Sequence, residues 1–81
     1  MKEQSNQRKK LLYILSENIK NYRKNKNISQ EELAELCGLH RTYIGSVERA
    51  ERNVTLKTLV AISYALGISV PNLLTRNRKF H

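Results

Sequence analysis

The chain has no aspartate and no tryptophan, and its 81 residues include only one cysteine, one proline and three glycines. A single cysteine, Cys37, rules out an intrachain disulfide and suits a reducing compartment. Long apolar runs are missing too. None approaches the roughly 20 residues a membrane-spanning helix needs. The apolar stretch after MKEQSNQRKK is interrupted at Ser16, Glu17 and Asn18, too early for a signal-peptide core. A soluble, cytoplasmic protein without membrane contact is expected. Catalysis is poorly provided for: there are two histidines, no nucleophile–base spacing, no metal-ligand cluster and no phosphate-cradling glycine loop. No enzymatic activity, metal, cofactor or small-molecule ligand is therefore expected.

What the chain has in excess is positive charge. Fifteen Lys and Arg against seven Glu give a net charge of +8 and a pI near 10.0. In a single small domain that imbalance points to a polyanionic partner, most often nucleic acid.

Apolar residues recur at helical spacing throughout, and strand-like alternation is missing. Leu11, Leu12, Leu15, Ile19 and Tyr22 share one arc of a first helix that Asn27 can end in the left-handed conformation. Ser29 and Glu32 make a capping box for a second helix, with Ile28 and Leu33 as a hydrophobic staple. Thr55 and Ser69 repeat the cap-and-staple arrangement. Between Leu56 and Gly67 lies the most apolar helix, with Leu56, Leu59, Val60, Ile62 and Leu66 expected on a broad buried face. A short helix over 70–74 completes an all-α, compact five-helix domain. Its expected bounds are 10–75, with a basic N-terminal extension over 1–9, frayed rather than folded, and a basic tail over 76–81.

The middle of the chain, SQEELAELCGLHRTYIGSVERAERN, carries the functional signal. Ala34 permits a close helix crossing, Gly38 permits a positive φ, and Ile44 and Val47 turn inward to join Leu33 and Leu36. That is the make-up of a helix-turn-helix, whose second helix enters the DNA major groove. On a helix from Arg41 to Arg49, the residues Arg41, Thr42, Gly45, Ser46 and Arg49 fall within an arc of about 140° that holds no acid. Gly45 costs about 1 kcal/mol in a helix interior, a cost that makes sense where something approaches the backbone closely.

SQEELAELCGLHRTYIGSVERAERNVTLKTLVAISYALGI closely resembles the phage-repressor/Cro-type helix-turn-helix regulators, also called the xenobiotic-response-element family. Within that family, RTYIGSVERAERNVTL is similar to the controller proteins of restriction–modification systems. The resemblance covers about residues 15–75. It implies a phage-repressor-like fold and a homodimer on a near-palindromic double-stranded DNA operator, regulating its own gene and a neighbouring endonuclease gene. Antitoxins and small phage-type repressors share the same domain and stay open as alternatives.

By the same resemblance, Arg41, Thr42 and Ser46 would read base edges, with Arg49 near the groove rim. Gln30, Arg52 and Asn53 would meet the DNA backbone. Tyr43 would either touch a phosphate or sugar or pack at the core's edge. Arg23 and Glu48 would form a salt bridge between the first and third helices. His40 stands where the family more often has Asp or Ser, a poorer cap that either meets a phosphate or is an uninvolved surface residue. The dimer surface is expected among leftover apolar residues: Ile62, Leu73 and Leu74.

Overall fold

The computed structural model describes residues 2–76, with side chains from residue 3. Among these, five α-helices and no strand are found: α1 (Lys2–Asn25), α2 (Gln30–Cys37), α3 (Arg41–Glu48), α4 (Leu56–Leu66) and α5 (Val70–Leu73). Apart from Arg76, the expected basic tail lies outside the described residues.

Helix α1 departs from expectation. It does not begin near residue 10 but at Lys2, and it runs unbroken through the supposed extension. The reason is local. KEQSNQRKK contains no proline, glycine or β-branched residue, and Glu3 in the first turn opposes the positive end of the helix dipole. At 1.5 Å per residue this helix is about 36 Å long, and the longest dimension of the molecule is 37 Å. Its second half packs into the domain, while Leu11 and most of the residues before it remain exposed.

The helix starts follow their caps. Ser29 Oγ accepts from the Glu32 amide at 3.0 Å, and Glu32 Oε1 accepts from the Ser29 amide at 2.8 Å. Thr55 and Ser69 accept from the amides of Thr58 and Asn72. Helix ends share a different device. Asn27, Gly38, Ala50 and Gly67 all have left-handed φ values. After each, the next amide reaches back to a carbonyl five residues earlier, as from Leu39 to Ala34 and from Glu51 to Ser46.

Every helix contributes to the core: Leu15 and Ile19, Leu33 and Ala34, Ile44 and Val47, Leu59, Ile62 and Leu66, and Leu73. Ile62 and Leu73 are both 0% exposed, which corrects their expected place in a dimer surface: the chain's own core already covers them. Of that set only Leu74 remains partly exposed. Conversely, Leu36 (64%), Leu56 (74%) and Val60 (57%) are exposed rather than buried. On α4 the inward arc runs through Leu59, Ile62 and Leu66, and at about 100° per residue Leu56 and Val60 fall outside it.

One polar tie was not legible in the sequence. Asn18 is buried, and its Nδ2 donates to the carbonyl oxygens of Leu73 and Thr75 at 2.8 Å each. This stitches α1 to the carbonyl end of α5, where a four-residue helix would otherwise leave acceptors unmet.

Candidate nucleic-acid interface

Helices α2 and α3 are joined through Gly38 at φ 70°, and His40 is the N-cap of α3. The imidazole does cap: His40 Nδ1 accepts from the Thr42 amide at 3.0 Å. Expected to be a poor cap, it takes the role that Asp or Ser would fill. Ile44 and Val47 anchor the inner side of α3, leaving Arg41 and Thr42 exposed on its first turn.

The outward face is narrower than the 140° arc suggested. Ser46, placed there as a base reader, is only 8% exposed, and its hydroxyl donates to the Tyr43 carbonyl at 2.7 Å. Only its lone pairs are left to offer. Arg49 is the C-cap, just past the last residue of α3, rather than within the helix. Both outward guanidinium groups carry a carboxylate. Arg41 Nη1 lies 3.3 Å from Glu31 Oε2, and Arg49 Nε lies 3.1 Å from Glu51 Oε2. The acid-free strip on α3 thus has acids from its neighbours beside it. Glu31 is ten residues from Arg41, a separation no helical spacing rule would flag.

Beneath this face is a buried polar chain. Arg23 holds Glu48 through two bonds, Nε to Oε2 at 2.6 Å and Nη2 to Oε1 at 3.0 Å, and donates from Nη1 to the Ile28 carbonyl at 2.9 Å. Glu48 Oε1 also accepts from Gln30 Nε2 at 3.1 Å. Gln30, at the first position of α2, is therefore tied to the α1–α3 bridge. That link was not anticipated.

In the α3–α4 connection, Arg52 and Asn53 are exposed. The Arg52 guanidinium lies 5.6 Å from the Tyr43 ring centroid. The ring itself packs against the edge of the core. Among the described residues no group of three His, Cys, Asp or Glu is placed to hold a metal ion. No described helix is long and apolar enough to cross a membrane.

The helix-turn-helix family profile matches residues 19–73. The control protein C.SmaI of Serratia marcescens is 67% identical over 63 residues, 78% of this chain and 75% of that protein. The control protein C.BamHI of Bacillus amyloliquefaciens is 54% identical over 48 residues, 59% of each chain. The crystal structure of the restriction-modification controller protein C.AhdI from Aeromonas hydrophila superposes with a TM-score of 0.74 at 40% identity, covering 76% of this chain and 94% of that one. A matched profile over most of the chain, together with identity this high across most of a control protein, makes this chain a member of the helix-turn-helix regulators and, among them, of the restriction–modification controller proteins.

Proposed function

We propose that this DNA-binding regulator acts as a homodimer on a near-palindromic double-stranded operator, controlling its own gene and that of the partner endonuclease. Membership among the controllers supports the regulatory target. A short reading helix supports the dimer: one α3 spans only a few base pairs, and two copies with half-sites about 34–36 Å apart supply usable affinity.

The observation that carries the reading is the contrast within α3 between its buried and its exposed residues. Ile44 and Val47 are sealed in the core, while Arg41 and Thr42 stand exposed at the turn that would enter the groove first. Arg41 reads a guanine through O6 and N7, and the Thr42 methyl meets a thymine methyl. Ser46 serves as an acceptor, and Arg49 works at the rim. Gln30, through its backbone N–H at the start of α2, and Tyr43, Arg52 and Asn53 set register on the DNA backbone.

Arg41→Ala tests this reading. It should cost about 1–3 kcal/mol on the preferred operator and relax the choice at one base pair, measured by fluorescence anisotropy on a set of single-substituted duplexes. An equal loss on every sequence would reduce Arg41 to a phosphate contact.

A further inference from the structure

We propose that Gly45 and Glu48 are positioning residues for DNA reading, holding the Gln30 amide and the Arg49 guanidinium side by side over the middle of α3. The inference rests on the DNA reading above and extends it to a second reading element assembled from two helices.

Glu48 fixes the amide. Its carboxylate is buried and accepts from both Arg23 and Gln30. An ionised carboxylate only accepts, so the Gln30 nitrogen must face it and Oε1 must face the other way. The amide therefore has one orientation, set from the interior.

Gly45 supplies the space. Its φ lies outside the left-handed region, so the backbone does not require glycine there. A Cβ at this position would lie 3.3 Å from Arg49 Nη1, tighter than ordinary van der Waals contact, and 3.4 Å from Gln30 Oε1, at the near edge of it. Two polar tips from different elements thus occupy the notch that glycine's missing side chain leaves. One is an acceptor and the other a donor. They lie about one helical turn from Arg41, since positions four apart share a face. Adenine presents the complementary pair in the major groove, a donor at N6 and an acceptor at N7. The geometry assigns this notch to the choice of one A·T pair.

Two variants of the intact protein, Gly45→Ala and Gln30→Met, and their combination test the assignment by selection from a randomised operator pool, with melting followed by circular dichroism. Alanine favours helix over glycine, so Gly45→Ala should melt no lower than the parent. It should nevertheless bind the parent's best operator about tenfold more weakly and lose preference at one A·T position. Gln30→Met should lose preference at that same position, and the double variant should be no worse than the weaker single one. Unchanged preference in Gly45→Ala, or effects of the two substitutions that simply multiply, would overturn the proposal. If Gly45→Ala melts earlier than expected, Gln30→Met decides alone, because it changes no residue of α3 and removes only one of the hydrogen bonds that Glu48 accepts. A parent protein that selects no sequence would instead defeat the broader DNA reading. A parent that selects one, with the Gly45→Ala variant selecting the same, defeats only this inference.

Discussion

Ala50 ends α3 at φ 59°, a conformation that an alanine adopts at a cost and a glycine does not. Asn27, Gly38 and Gly67 take the equivalent role at other helix ends, so Ala50 is the poorly suited one of the four. Ala50→Gly should stabilise the fold by about 1 kcal/mol, seen as a higher urea midpoint with an unchanged slope. A lower midpoint would mean that the methyl group contributes more than the strain it causes. Cys37 supports a second prediction. Half-buried, with Sγ 3.7 Å from the Ala61 carbonyl oxygen, it has a thiol pushed above its ordinary value by desolvation. The folded state therefore keeps this proton more tightly than the unfolded state. Its contribution to stability is complete below the unfolded thiol's value and falls as pH rises through the folded one. Near neutral pH the thiol should react slowly with maleimide and rapidly in denaturant. Equal rates would show that the site is open. Ser46 shows where single residues escape a reading by periodicity. Helical spacing puts it on the outward arc, but it is buried and its hydroxyl turns back on its own helix, and that choice depends on what packs alongside.

At the scale of the helices, starts and stops were legible because their causes are local. A serine or threonine three residues before an amide, or a glycine after the last turn, acts without the rest of the fold. Faces were less legible. Helix α4 has more apolar residues than one buried arc can hold, and only the neighbouring helices decide that Ile62 goes in while Leu56 and Val60 stay out. The Arg23–Glu48 bridge joins α1 to α3 with side chains 11% and 3% exposed, so it behaves as a buried pair. Arg23→Ala should cost roughly 3–5 kcal/mol, because it strands a buried carboxylate. The Arg23→Ala/Glu48→Ala double variant should lose far less than the sum of the two singles. Additive losses in urea titrations would mean that the two groups are not coupled.

Across the whole molecule, the all-helical architecture and the basic surplus could both be read from the residues alone. The reach of α1 could not, because the segment before residue 10 has no apolar stripe to announce a packed helix and relies on good helix formers instead. With a net charge of +8, binding should weaken steeply with salt. The log–log slope should approach −0.9 for each phosphate neutralised, measured between about 50 and 200 mM salt. A flat response would contradict the electrostatic account.

The carboxylates beside Arg41 and Arg49 give that surplus a particular distribution. With Glu31 and Glu51 in place, the proposed reading surface around Arg41 and Arg49 carries little net charge before contact. Long-range pull must come from elsewhere, from cations such as Arg8, Lys9, Lys10, Lys24, Lys26 and Lys57, which form no ion pair among the described residues. On the proposed reading, capture and choice would be divided between different parts of the chain, and ions in the medium should slow the search for DNA more than they blur which site is kept.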